Sequence, residues 1–323
     1  MDVSGFAQKL LHSSWQEKVS DVYLLPRKKS FEIFFRRQNR RWLHETLPEE
    51  DGRQLVRHFK FLANMDIAEK RKPQLGAFTS QMNDLQIRLR LSSVGDYLGA
   101  ESLVLRFFQE DESITNRYLL YPQNYLESQT KKRGLHLFVG PTGSGKTTLM
   151  YRLAKNHPHF QQVITIEDPV EIEEQSFLQL QTNAQIGLTY EALIKVCLRH
   201  RPDCLIIGEI RDGETAMMVL RAALTGHVVF ATLHAKNLAE TYTRLEELGL
   251  KKAQVESVMQ SVTFQRMVEI ICPVCGNTKN LDCQKIHDAC LVSVHPAQKW
   301  SQQLRKAWAY GFINADTYLQ EKD

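Results

Sequence analysis

No stretch of this chain stays apolar for the roughly 20 residues that a membrane-crossing helix needs. The longest apolar runs, such as Cys204 to Ile207 and Val228 to Leu233, are far shorter. Nor does the N-terminus combine a basic start, an apolar centre and a small-residue cleavage site, so no secretion signal is read there and the chain is expected to be cytosolic. Charge of one sign is also lacking: 41 Lys and Arg stand against 37 Asp and Glu, a net +4. Bulk electrostatics therefore gives no affinity for nucleic acid or membrane. Cysteines number only six, and Cys197 and Cys204 are isolated inside apolar segments, which fits a reduced compartment better than a disulfide framework.

What is present reads as two domains. Residues 1–18 have helical spacing, with Phe6, Leu10 and Leu11 on one face, and strands follow at 21–25 and 31–36. The basic run Arg36-Arg37-Gln38-Asn39-Arg40-Arg41 invites a nucleic-acid reading, but its place between strands is that of a solvated hairpin turn. A helix over 49–65 comes next, then a strand with Leu85, Ile87, Leu89 and Leu91 at period two, and a last strand at 102–108. These make a small α+β domain over 1–108, with the polar, acidic stretch 109–116 as linker and a second domain over 117–323. In the second domain strands at 135–139, 162–166, 204–207 and 228–233 alternate with helices at 146–156, 190–200 and 213–224. That alternation predicts an α/β domain with a mainly parallel sheet and phosphate chemistry at the carboxyl ends of its strands.

The loop between the first of these strands and its helix reads Gly140-Pro141-Thr142-Gly143-Ser144-Gly145-Lys146-Thr147, followed by Thr148. Its glycines allow backbone N–H groups to close around phosphate oxygens, at the positive end of the next helix. Lys146 is expected on the β- and γ-phosphates of ATP and Thr147 on Mg²⁺. Glu209 follows an apolar strand, where phosphate-loop enzymes carry an acidic residue near Mg²⁺. Glu167 and Asp168 end a second strand, where a carboxylate can polarise the attacking water. His234 ends a third, within reach of the γ-phosphate region.

Together these segments resemble the secretion or traffic ATPases of type II secretion and type IV pilus systems. A Walker A loop at 140–147, an aspartate box at 164–171, a Walker B segment at 205–212 and a histidine box at 226–234 stand in the order of that family. Ala68-Glu69-Lys70-Arg71-Lys72-Pro73-Gln74-Leu75-Gly76 resembles its A-E-K-R-x-P-Q-D-G element, with Leu75 in place of Asp. The resemblance implies a PAS-like N-terminal domain before a RecA-like ATPase domain, and a homohexamer with ATP between subunits. It implies Glu167 as catalytic carboxylate, Glu209 as the Mg²⁺ partner, and Arg90 and Arg106 as arginines reaching the neighbouring subunit's nucleotide. Arg199 sits in Leu198-Arg199-His200-Arg201-Pro202-Asp203, similar to L-R-x-D-P-D but with Arg201 for the first Asp.

Cys272-Pro273-Val274-Cys275 stands where assembly ATPases open a zinc element. Cys283 and Cys290 could complete four ligands, with His287 as a substitute, but no second C-x₂-C is present. Zinc and a remnant pair of thiols both stay open. The chain lacks the extra N-terminal domain of longer assembly ATPases and the A-I-R-N-L-I-R-E element of retraction ATPases. It ends instead with Leu304, Ala307, Trp308, Gly311 and Phe312 at helical spacing. These traits are similar to the competence branch of the family. They imply a motor on the inner face of the membrane, docked on a polytopic platform protein and assembling a pilus for DNA uptake. No direct nucleic-acid binding is expected. A retraction or type II secretion motor is the alternative, and a translocase working through Arg36 to Arg41 a more distant one.

Overall fold

A computed structural model describes residues 2–37, 40–82, 85–108, 118–120, 126–128, 130, 132–235, 238–278, 288–293 and 300–322. The chain divides into two compact units, Met1–Asp111 and Glu112–Asp323. Residues 109–116, read as a linker, lie outside the described residues.

In the first unit helix α1 (Val3–Gln16) starts where the Asp2 carboxylate accepts the Gly5 N–H, and it buries Ala7, Leu10, Leu11 and Ser14 along one side. Helix α2 (Glu49–Leu62) has Glu49, Glu50 and Asp51 in its first turn and Lys60 in its last, which suits the helix dipole. Strands β1 (Asp21–Pro26), β2 (Ser30–Arg37), β3 (Arg40–Pro48), β4 (Gln74–Met82), β5 (Leu85–Gly95) and β6 (Glu101–Phe108) form an antiparallel sheet in the order β3-β2-β1-β6-β5-β4. Period-two alternation sends Val22, Leu24, Ile33, Phe35, Ile87, Leu89, Leu91, Leu103 and Leu105 into one core with Leu10, Leu55 and Phe59 of the helices. Strand β4 is an element that the sequence reading does not anticipate.

The same alternation lines up the other face. Successive pairings Arg41–Arg36, Arg36–Asp21, Asp21–Arg106 and Arg106–Arg90 run across five strands as one row. Arg106 Nε donates to Asp21 Oδ1 at 2.7 Å, Arg36 donates to the Tyr23 hydroxyl, and the Arg41 guanidinium lies 4.0 Å from the Phe34 ring centroid. The basic run is thus partly sheet: Arg36 and Arg41 belong to paired strands, while residues 38 and 39 lie outside the described residues.

The second unit has β7 (Tyr118–Leu119), β8 (Gly134–Val139), β9 (Val163–Glu167), β10 (Leu178–Gln181), β11 (Cys204–Ile207), β12 (Val228–Leu233), β13 (Met259–Glu269) and β14 (Asp288–Ser293). Their order is β10-β9-β11-β12-β8-β13-β14-β7. Pairing is parallel from β10 through β13, β14 is antiparallel to β13, and β7 is parallel to β14. Every residue of β8, β9, β11 and β12 is buried, as a parallel sheet covered on both faces requires. Helix α3 (Lys146–Lys155) packs Leu149 and Leu153 with Phe138, Ile206 and Phe230 on one face. Helices α4 (Tyr190–Cys197), α5 (Gly213–Leu224) and α7 (Lys252–Val258) pack with Leu137, Ile166 and Ile207 on the other, and α6 (Leu238–Glu247) adds Leu245. Among the described residues no helix is long and apolar enough to cross a membrane.

The tail departs from its helical reading. Helix α8 (Trp300–Ala309) stops before Gly311, whose φ of 73° turns the chain, and α9 (Ala315–Glu321) starts afresh with Asn314 capping Thr317. Ile313 is buried in the turn between them.

Candidate active site

The glycine loop lies between β8 and α3, and three strands of the sheet deliver the remaining groups at their carboxyl ends. Gly140 has φ 151°, and a Cβ there would stand 2.1 Å from the Gln265 carbonyl oxygen, so no side chain fits. Gly143 and Gly145 take φ 78° and 80°. Gln265, wholly buried on β13, donates its amide to the Ser144 carbonyl and ties the loop to the sheet. Leu149 N bonds to the Gly145 carbonyl as α3 begins, so the first N–H groups of the helix stay unused by its own hydrogen bonds. Bare backbone, N–H donors and a buried lysine fit a nucleotide triphosphate.

Lys146 is buried and turned into its own loop, where Nζ donates to the carbonyls of Gly140 at 3.0 Å and Pro141 at 2.8 Å. Burial pushes its pKa down to about 8, against the opposing pull of the Glu209 and Glu171 carboxylates. Thr147 and Thr148, in the first turn of α3, are half-buried.

Glu167 is the last residue of β9 and is buried. Desolvation raises its pKa, while a hydrogen bond donated by the Tyr151 hydroxyl works the other way. Tyr151 in turn accepts from Gln179 Nε2 at 2.7 Å. Glu209, just beyond β11, is joined to the aspartate box by Arg211. One guanidinium nitrogen donates to Asp168 Oδ2 at 3.0 Å and the other to Glu209 Oε1 at 2.5 Å. These carboxylates hold the Arg211 pKa well above its ordinary value, the Glu209 hydrogen bond first among them. His234, after β12, places Nε2 4.0 Å from Glu209 Oε2. Burial and then the Lys146 charge lower its pKa, and Glu209 opposes them.

The loop, Glu167, Glu209 and His234 are therefore gathered at one end of one sheet. Arg199 is exposed in the 3₁₀ turn that follows α4. Arg90 and Arg106 belong to the first unit, opposite each other on β5 and β6. Tyr151, Gln179, Arg211 and Gln265 are contributors that sequence reasoning passes over. Only Arg211 carries a sequence signal, since it lies within Glu209-Ile210-Arg211-Asp212.

Zinc is not supported. Among the described residues no three His, Cys, Asp or Glu side chains gather as a metal-binding group. Cys272 is buried in the turn beyond β13 with Cys275 beside it, and register pairs Cys290 with Met267 within the β13–β14 ladder. Cys283 and His287 lie outside the described residues.

A parallel sheet with a glycine loop, and two carboxylates and a histidine at neighbouring strand ends, define a RecA-like P-loop ATPase. More narrowly, the chain belongs to the Type II/IV secretion system protein family, whose model matches residues 2–308. It is 41% identical over 313 residues to the Competence protein ComGA of Streptococcus pneumoniae, covering 97% of this chain and 96% of that one. It is 36% identical to the Competence protein ComGA of Bacillus subtilis, covering 99% of each. Among solved structures it resembles the Legionella pneumophila ATPase DotB, with a TM-score of 0.74, 19% identity and coverage of 98% and 94%. It also resembles the pilus retraction motor PilT, with a TM-score of 0.71, 21% identity and coverage of 98% and 96%. These two likenesses concern the fold.

Proposed function

We propose that this chain is the hexameric motor whose ATP hydrolysis drives assembly of a competence pilus for DNA uptake. The observation that carries the reading is end-to-end similarity to two competence proteins, spanning 97% and 99% of this chain, with the phosphate loop and its carboxylates in one site. The glycine loop and Lys146 hold the phosphates. Thr147 and Glu209 hold Mg²⁺, which supplies a cationic partner for the phosphate oxygens when bound. Glu167 takes the proton of the attacking water, and the raised pKa that burial gives it makes it a stronger proton acceptor than an exposed glutamate. Arg211 keeps Glu209 and the aspartate box in register, and His234 sits beside Glu209 near the loop.

Arg90 and Arg106 belong to a domain over 1–108, joined through a linker at 109–116 to the ATPase domain over 117–323. They serve the nucleotide of a neighbouring subunit, and Arg199 lines the same boundary. In this reading the ring works in the cytoplasm, peripheral to the membrane through a polytopic platform protein. DNA is cargo of the whole machine, which agrees with a net charge of only +4.

A chromosomal Lys146→Ala strain is expected to make no pili and to lose transformation, with the protein present at parental level. Normal piliation and transformation in that strain would refute the proposal. The fold shared with a retraction motor favours one rival, which the same experiment separates: a retraction motor lacking its lysine leaves pili assembled but unable to shorten.

A further inference from the structure

Two tyrosines approach Glu167, and they differ in what their hydroxyls do. Tyr151 is committed, since it donates to the carboxylate and accepts from Gln179. Tyr190, the first residue of α4, has a buried hydroxyl that finds no hydrogen-bond partner within the protein. Its ring packs against the main core of the unit, and Thr189 caps the helix through Ala192, so the side chain is anchored from two sides.

The surroundings of this hydroxyl are those of the reaction. A Cβ on Gly208 would lie 3.2 Å from Tyr190 Oη and 3.3 Å from Cα and Cγ of Glu167, so the bare glycine lets the phenol and the stem of Glu167 close on the same point. Burial first, then Glu209 and Asp168, and to a smaller extent Glu167, raise the Tyr190 pKa, with Arg211 opposing. The phenol therefore stays protonated and remains a donor. A buried donor without an acceptor is costly to a fold, and natural structures reserve such groups for ligands or ordered water. Acceptor-only carboxylates surround this one, and none is within bonding reach of it.

We propose that Tyr190 is a further catalytic residue, whose hydroxyl donates to the attacking water and holds it against Glu167. The inference rests on the assignment of Glu167 as catalytic carboxylate made above. In the step itself one O–H bond of the water breaks and its proton passes to Glu167. The water oxygen bonds to the γ-phosphorus, and the bond from that phosphorus to the bridging oxygen breaks to release ADP. Tyr190 keeps its proton throughout and fixes the direction of the oxygen lone pair. Such orientation belongs to the water-positioning role that phosphoryl-transfer enzymes assign to a side chain beside the γ-phosphate.

Tyr190→Phe keeps the ring and removes only the hydroxyl. In the full-length protein kcat is expected to fall on the order of tenfold or more while KM for ATP stays within about twofold, as for a contact used in the transition state alone. The melting temperature should hold or rise, because an unpartnered polar atom has gone. Parental kcat with a raised melting temperature would make the hydroxyl a structural orphan and overturn the inference. A raised KM at unchanged kcat would make it a nucleotide contact and overturn it equally. Glu167→Gln separates the two readings. Parental hydrolysis by that variant overturns the active-site assignment together with this inference. Its inactivity, combined with parental hydrolysis by Tyr190→Phe, overturns the role of Tyr190 alone.

Discussion

The Lys146 ammonium is satisfied inside its own loop, by the carbonyls of Gly140 and Pro141, and burial brings its pKa from 10.5 down to about 8. ATP sets anionic oxygens beside the same group and favours its charged form. Below pH 8 the lysine is protonated with or without nucleotide, so affinity should be flat. Above it binding must take up a proton, and Kd should rise about tenfold per pH unit until the pKa of the complex is reached. Calorimetric titration at pH 7 to 9.5, in buffers of different ionisation enthalpy, reads both the affinity and the proton. A Kd that does not change across that range would show that the lysine is not displaced from its ordinary value. The shift has a sign for folding too. Between about 8 and 10.5 the unfolded chain binds a proton that the folded chain has lost, so stability rises with pH across that window. At this scale Lys146, Glu167, Glu209 and His234 are legible in the sequence because each ends an apolar run or a glycine motif. Arg211 is signalled only by its place after Glu209, and Tyr151 and Gln265 are not legible. Their partners, Asp168, Glu167 and Ser144, meet them only when separate elements pack.

Among the elements, β13 is one on which the site depends and one that sequence pattern hides. Within Met259–Glu269 the five residues Ser261 to Gln265 are buried without a break instead of alternating, because a strand between β8 and β14 is covered on both faces. Strands β8, β9, β11 and β12 escape the same ambiguity, since short apolar runs bounded by polar turns leave little else to choose. From β13 the Gln265 side chain holds the Ser144 carbonyl, while its backbone carbonyl closes on Gly140. Gly140→Ala would drive a methyl group into that carbonyl, at a distance of 2.1 Å, from a φ of 151°. The loop must then lift off β13, which should cost about 1–3 kcal/mol and lower ATP affinity on the order of tenfold or more. Thermal melting paired with fluorescent-nucleotide binding measures both. Parental binding by the alanine variant would mean that the approach of loop to strand does not matter.

For the whole molecule, the proposed ring makes a specific prediction. Subunits carrying Lys146→Ala lack a working phosphate loop, and subunits carrying both Arg90→Ala and Arg106→Ala lack the arginines offered to a neighbour. Each should be inactive alone, the second by a factor on the order of 10³ to 10⁵ if the arginines act as fingers. In an equal mixture about a quarter of head-to-tail interfaces unite an intact loop with intact arginines. Hydrolysis should therefore return to a corresponding fraction of the parental rate. Continued inactivity, with co-assembly verified by mass, would refute a shared site. The two-part architecture is legible from the change of pattern, period two in one half and strand-helix alternation in the other. Less legible is how the basic run joins the first half, because Arg36 becomes a neighbour of Asp21, and Arg41 of Arg36, only through strand pairing.

That row of Arg41, Arg36, Asp21, Arg106 and Arg90 gives the first unit the character of a ruler. Loops usually carry catalytic arginines and let them search. Here the spacing between Arg90 and Arg106 is set by hydrogen-bonded register, and a slip of one residue in either strand would send its arginine into the core. Asp21, itself buried, grips Arg106 by Nε and restrains the stem of a side chain that is otherwise more than half exposed. In the proposed role, rotamer freedom that a loose arginine would lose on meeting phosphate is surrendered when the sheet folds. In the proposed ring, the accuracy with which one subunit addresses its neighbour would then be a property of sheet register, inherited from the folding of each chain.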